Sequence, residues 1–530
     1  MAGTAAEARG GFRPAALRRP PRVLLVLAVA VAVLVLLPVG DTLYQAAHVG
    51  SSEATELLFR PLVGELLINT IGLAAATTLV CGVIGTGCAW LTERTNLPGR
   101  QAWAVLAVVP LAIPPFISSY AWVSLSPAFQ GFAGALLVVS CAYYPLVYLP
   151  VAAALRGIDP ALEESARTLG RGPWACFFRV VLPQLRPALL GGMLLVGLHM
   201  LGEFGAFALL RFRTFTTELY AEYRTGFNGP GASLLAVVLL VLCLVCLVAE
   251  LRVRAGAHYA RVGGGTRRRM APLVLGWMTL PMLAAVAVLT AATAGVPLGM
   301  ILYWLTQHGA AAITPAEVSP ARLLDATGAS IWLGLTGAAL TVLLALPLAF
   351  LAARYQGWAI TVLERAAYLT QGVPAIVVAL ALIALTLESA PPLYQSAGSL
   401  IFAYAILFLP LALVSIRAAL MQVQKALEEV ARSLGLGWFA VVWRVALPLA
   451  ASGLSAAAAL VFVSVVTELT ATLLLAPIGT RTLATEVWAD TSTVAYAAAA
   501  PYAALMAALS LVSTWLLARR FGSAALVAMG

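Results

Sequence analysis

The sequence predicts an all-α polytopic membrane protein, with about twelve transmembrane helices in two tandem, parallel six-helix halves. Three observations carry that prediction. Hydrophobic residues make up 62% of the 530 and charged residues only 10%, against roughly half and a quarter in a soluble domain. The apolar residues fall in runs of the length that crosses a bilayer, about 20 residues. A 22-residue stretch recurs almost residue for residue 265 positions further on, which marks an internal duplication.

Taken in order, the spans fall near 23–40, 66–91, 102–125, 132–155, 188–210, 232–251, 272–293, 329–353, 360–387, 398–419, 452–476 and 497–518. The first follows Arg13, Arg18, Arg19 and Arg22, as the apolar core of a signal peptide would. Its run of 17 apolar residues exceeds the usual core of about 7–15, and no small-residue cleavage site follows, so a retained helix is expected. The spans divide the chain into an N-terminal segment with the first helix (1–63), a first core (64–252), a basic linker (253–271), a seventh helix with an external loop (272–326) and a second core (327–520).

Orientation follows from the basic residues. One set of alternate loops, with both termini, holds 26 of the 32 Lys and Arg; the other holds only Arg60, Arg211, Arg213, Arg224, Arg322 and Arg481. The positive-inside rule then places both termini in the cytoplasm. An even number of spans per half gives both halves the same orientation, related by a pseudo-two-fold axis along the membrane normal. The net charge of +10 thus belongs to membrane topology, and lipid rather than nucleic acid is the expected surrounding. Cys81, Cys88, Cys141, Cys243 and Cys246 lie inside apolar runs, as buried small hydrophobes do. The histidines, His48, His199, His258 and His308, are scattered and form no metal-ligand spacing. No external loop is long enough for a receptor domain, so capture of solute falls to another protein.

The recurring stretch is LEESARTLGRGPWACFFRVVLP at 162–183 and LEEVARSLGLGWFAVVWRVALP at 427–448. Each copy is expected to form a short helix, a glycine turn and a second helix stopped before a proline. Asp159 and Pro160 suit the start of the first copy, and Glu163 and Glu164 complement its positive end. The second copy begins at Gln424 and Lys425 and is capped more weakly. Glu163 with Arg167, and Glu428 with Arg432, have the spacing of an i,i+4 pair. A single amphipathic helix of this kind lies as readily on a lipid surface. Two copies with matched glycine and proline spacing suit insertion into grooves on a two-fold partner.

These loops resemble the signature of the membrane-spanning permease subunits of bacterial binding-protein-dependent ABC importers: E-A-A, three residues, G, nine residues, I, one residue, L-P. It stands here as Glu164-Ser165-Ala166, Gly170, Val180 and Leu182-Pro183, and again as Glu429-Val430-Ala431, Gly435, Val445 and Leu447-Pro448. The middle Ala is replaced in both copies and Ile is Val. The resemblance covers both halves and implies a type I ABC importer permease fold in the bacterial inner membrane. It implies that Glu163, Glu164, Ala166, Gly170, Leu182 and Pro183, with Glu428, Glu429, Ala431, Gly435, Leu447 and Pro448, form the coupling loops. These would dock on a homodimer of ATPase subunits, which carry ATP and Mg, while an extracytoplasmic binding protein delivers solute. The chain itself is expected to bind no cofactor: its one lysine, Lys425, stands in a glycine-free stretch, where no phosphate-binding loop can form.

Two carboxylates, Glu203 and Glu468, lie deep in apolar runs 265 residues apart. A charge at mid-bilayer costs about 3 kcal/mol on insertion scales, so both are expected to face the bundle or a cavity. They are candidates for the translocation path, with a structural carboxylate as the simpler reading; His199, one turn away, is a candidate partner of Glu203. Prolines also recur, Pro114 with Pro374 and Pro145 with Pro410, as kinks or hinges. Among such permeases, two fused halves resemble the iron(III) group most closely and the thiamine permeases next. GEFGAFALLRFRTFTTELY at 202–220 and TELTATLLLAPIGTRTLATEVW at 467–488 carry that likeness, although Thr467-Glu468-Leu469-Thr470 replaces the common Lys-Glu-Leu-Pro. The function expected is permeation of ferric iron driven by ATP on a separate chain. Another small solute, or an ion-coupled carrier built on two parallel halves, are the alternatives; an enzyme lacks a nucleophile-base or metal constellation.

Overall fold

In the computed structural model, residues 20–226, 229–255, 272–307 and 319–521 are described. The arginines before residue 20, most of the basic linker at 253–271, His258 and His308 lie outside them. Among the described residues the chain is helical throughout, and its one extended contact is a parallel bridge between Thr95 and Leu273.

Among the described residues, nine helices are long and apolar enough to cross a membrane, and three further spans appear as bent pairs, which makes up to twelve. The bent pairs fall at or overlap three of the expected spans, 102–125, 360–387 and 452–476. Arg100–Ala112 meets Pro115–Leu125 at 93°, and Trp358–Gly372 meets Ala375–Ser389 at 104°. The corners are Pro114 and Pro374, whose extended ψ of 139° and 143° ends one helix while each proline opens the next. Pro lacks the N–H that a continuing helix needs, so the chain turns instead of kinking. Two expected spans also end early. Phe177–Gly202 stops just before Glu203, and Ala451–Val466 stops two residues before Glu468; a short helix follows each break, Gly205–Leu209 and Thr470–Leu475.

The duplication is visible in the packing. Helix Arg22–Ala47 lies against Gly229–Ala255 of its own half and against Trp358–Leu369 and Ala375–Ser389 of the other. Its counterpart, Val296–Thr306, lies against Tyr496–Phe521 of its own half and Pro115–Leu125 of the other. Each half is thus strapped by the first helix of its neighbour. The same symmetry reaches single hydrogen bonds: capping boxes Thr214/Thr217 and Thr482/Thr485 start equivalent helices. Thr70 and Ser330 accept the first N–H of each, from Phe215 and Leu483.

Two cores bridge the halves. One joins Leu198, Phe215 and Leu235 to Tyr404, Leu409 and Val461; the other joins Phe116 and Tyr120 to Leu469, Val487 and Met506. All six cysteines are free, five of them buried, and Cys243 and Cys246 form no disulfide.

Candidate functional site

Two regions hold the residues singled out in the sequence, and they sit at different depths. The paired loops lie at one face of the helix bundle, and the paired glutamates sit at the helix breaks inside it.

Each loop begins as expected. Helix Pro160–Thr168 is capped by Asp159, whose carboxylate accepts from the Ala161 N–H at 3.0 Å. Helix Lys425–Ser433 follows Gln424, which makes no such bond. Both helices end in the same six-residue wrap: Arg171 N–H reaches the Ala166 carbonyl and Leu436 N–H the Ala431 carbonyl, with Gly170 and Gly435 at φ of +80° and +86°. That left-handed turn is cheap only for glycine.

Beyond the turn the expectation fails, because the second helix is not stopped before the proline. It passes through a π-turn, Phe177–Val181 and Val442–Ala446, into regular helices whose first turns contain Pro183 and Pro448. The wider π-turn relaxes the hydrogen-bond register just before the residue that has no N–H to give. In the first copy the helix continues to Gly202. In the second it bends by 72° at Ala450 before Ala451–Val466.

The loop residues divide into two faces. Glu163, Ala166, Glu428 and Ala431 are buried. Glu163 pairs with Arg94 at 2.8 Å, not with Arg167. Glu428 pairs with Arg354 at 2.6 Å and keeps its Arg432 contact only at 3.8 Å. Arg94 and Arg354 are the last residues of helices Pro61–Arg94 and Pro320–Arg354, so each loop is ion-paired to the first long helix of its own core. Leu182 and Leu447 are half-buried, and Pro183 and Pro448 exposed. Outward point Glu164 and Glu429, and at the tips Leu169 and Leu434, each 79% exposed. Sequence reasoning missed these two leucines as surface residues, although their identical place before the glycines was there to be read.

Glu203 and Glu468 both line one cavity of about 990 Å³ between the halves. Its walls include Gly157, Glu250 and Leu251 near the loop face, so it runs from the helix breaks toward that face. Each carboxylate caps the short helix that follows it. Glu203 accepts from Ala206 N–H at 2.9 Å. Glu468 accepts from Thr470, Ala471 and Thr472 N–H at 3.0–3.3 Å. The hydrogen-bond partner of Glu203 is not His199 but Tyr143, whose hydroxyl donates at 2.6 Å; the two lie on different helices, 60 residues apart, beyond the reach of periodicity. His199 also lines the cavity and donates through Nδ1 to the Leu195 carbonyl at 2.9 Å. Among the described residues, no three His, Cys, Asp or Glu side chains gather into a metal cage.

Past the breaks the two halves are in close contact. Phe204 stacks with Tyr220 and with Trp488 of the other half, ring centroids 4.8 and 5.3 Å apart. Gly205 lies so close to Leu469 and Phe116 that a Cβ would stand 2.8 and 3.0 Å from them. Tyr120 donates to the Tyr496 carbonyl across the same seam at 2.8 Å. Beyond this layer lies a second cavity of about 310 Å³, lined by Phe204, Tyr220, Arg211 and Trp488. Neighbours Glu203 and Phe204 therefore face different chambers.

The family described as binding-protein-dependent transport system inner membrane component matches twice, at residues 82–253 and 345–520. The Fe(3+)-transport system permease protein FbpB 2 of Haemophilus influenzae is 37% identical over 504 residues, 94% of this chain and 98% of that protein. The sulfate transport system permease protein CysT of Escherichia coli is 31% identical, covering 41% of this chain and 86% of its own length. The molybdenum transport system permease protein ModB of Escherichia coli is 29% identical, covering 34% of this chain and 88% of its own.

Proposed function

The chain belongs to the family of binding-protein-dependent transport system inner membrane components, with two copies of the family domain in tandem, and from that premise we propose that it is a fused two-half permease of an ATP-driven ferric iron importer. It is a multi-pass membrane transport subunit rather than the catalytic member of its system. The relative that aligns along nearly the whole chain is an Fe(3+) permease, whereas the sulfate and molybdenum permeases align over well under half of it. That difference in coverage carries the choice of iron over another small solute.

Two identical ATPase subunits would each receive one loop, with Leu169 and Leu434 as apolar tips and Glu164 and Glu429 as flanking charges. The ATPases would hold the ATP and Mg, and this chain no cofactor. The loops and both termini then lie in the cytoplasm, as the basic residues also require. The 990 Å³ cavity is the inward-facing chamber of the path, with Glu203 and Glu468 at its head. The aromatic layer of Phe204, Tyr220 and Trp488 is the closed door on the side where a binding protein delivers solute. Alternation between this state and its opposite moves solute without a continuous pore.

An ion-coupled carrier needs neither the paired loops nor a partner to hydrolyse ATP. The test is reconstitution of the chain with its ATPase and binding protein in proteoliposomes. ATP-dependent uptake of iron, and not of sulfate or molybdate, is expected. Uptake by the chain alone, driven by an ion gradient, overturns the reading.

A further inference from the structure

The duplication places matching positions on opposite walls of one cavity, yet their chemistry differs. On the first-half wall stand Tyr143, His199 and Glu203; 265 residues later stand Phe408, Ser464 and Glu468, and all six line the same space. The two glutamates are also committed differently. Glu468 is spent on its own helix: both oxygens accept backbone N–H groups, and Thr472 Oγ1 adds a further contact at 3.3 Å. Glu203 takes one backbone N–H on Oε1, and its Oε2 is held by the Tyr143 hydroxyl. The Tyr143 and His199 rings are 5.5 Å apart. Since a carbonyl can only accept, His199 Nδ1 carries a proton toward Leu195, and in the neutral ring this leaves Nε2 as a bare nitrogen. A backbone carbonyl holding the other ring nitrogen is the usual support of a metal-ligating histidine.

We infer that Tyr143, His199 and Glu203 form a one-sided coordination station for a hard, multiply charged metal cation, while Glu468 serves as a cap that shapes the second half's helix break. The inference rests on the iron reading of the preceding subsection and adds where along the path the metal is touched. Carboxylate and phenolate oxygens with one imidazole suit a hard cation. Three ligands from one wall leave the remaining positions to water or an accompanying anion, so the metal is held loosely enough to leave, as conduction requires. When the Tyr143 oxygen binds as phenolate its proton passes to cavity water, and Glu203 Oε2 exchanges that hydroxyl for the metal.

The experiment uses the complex of permease and ATPase, with the binding protein added for the uptake measurements. Ferric iron presented as its nitrilotriacetate chelate to the purified permease and ATPase is expected to give a visible tyrosinate-to-iron absorption band, lost in Tyr143→Phe. Glu203→Gln and His199→Gln are each expected to lower uptake of radiolabelled iron by about ten-fold or more, with ATP hydrolysis stimulated by the binding protein retained. Iron uptake at the wild-type rate by the combined Tyr143→Phe, His199→Gln and Glu203→Gln variant overturns the station and leaves the importer reading standing. A wild-type complex that imports sulfate or molybdate and no iron overturns both. Should the combined variant fail to assemble, Tyr143→Phe, which removes one oxygen, decides alone: a band that persists in it overturns the station.

Discussion

Arg94 and Arg354 show how one residue joins a loop to the membrane core. Each ends the first long helix of its half, and each is buried with its glutamate, the Arg354 guanidinium also reaching the Val423 carbonyl at 3.3 Å. Removing one member of a buried pair strands the other charge, at a cost of about 3–5 kcal/mol. Arg354→Gln is therefore expected to lower the midpoint of thermal unfolding in detergent and to abolish stimulation of the ATPase. The exchange Arg354→Glu with Glu428→Arg is expected to restore part of both. Stimulation surviving in Arg354→Gln at wild-type level would show that the pair transmits nothing. In the sequence, helical spacing offers Arg167 to Glu163, four residues away. The partner the fold selects comes from a helix that ended 69 positions earlier, because a buried carboxylate needs a cation delivered by tertiary packing.

In the proposed importer, the loop helices serve coupling and the broken helices serve permeation. On the loops, the ion pair fixes which side faces in, so the opposite side, with Glu164, Leu169, Glu429 and Leu434, is left for a partner. Leu169→Asp together with Leu434→Asp changes only exposed positions, where substitutions typically alter stability by about 0.5 kcal/mol or less. It is expected to abolish co-purification of the ATPase, a loss of about 2 kcal/mol or more at each copy if these are anchor residues. Charge reversal by Glu164→Lys with Glu429→Lys is expected to uncouple ATP hydrolysis from uptake; intact co-purification and transport would argue against docking through these faces. The loop helices were legible from the glycine, the proline and the amphipathic spacing. The π-turns that carry each helix through its proline were not, since they depend on how the next helix is anchored in the bundle. The recurring Pro114 and Pro374 were legible as kinks or hinges, but their near-right-angle bends depend also on the strapping helix packed against each corner.

Across the whole molecule, each half is bound by a helix of the other, and the seam between them closes at one level and opens below it. Closure is carried by Phe204 against Trp488 and by Gly205 against Leu469, contacts that must part for solute to enter. With Phe204→Cys and Trp488→Cys joined by a short bifunctional thiol reagent, in a Cys246→Ser background, uptake is expected to stop and to return on cleavage of the link. The other five native cysteines are buried and shielded from the reagent. Uptake that continues through the linked door would place the path elsewhere.

The sequence alone determined that the chain crosses a membrane repeatedly, that it is a duplication, and that its most repeated segment is a paired amphipathic hairpin. Those properties reside in composition, in periodicity and in identity at a fixed offset, all local or directly countable. It also picked out Glu203 and Glu468, because a carboxylate in an apolar run is costly wherever it ends up. Only the tertiary structure decided that the two carboxylates head one cavity, that Tyr143 is the partner of the first, and that Glu468 is absorbed into its own helix cap. It also decided that one glutamate of each loop, Glu163 and Glu428, turns inward to an arginine. Apart from the local cap at Glu468, these are pairings between segments 60 or more residues apart, and burial, which no spacing rule encodes, selects among the partners available.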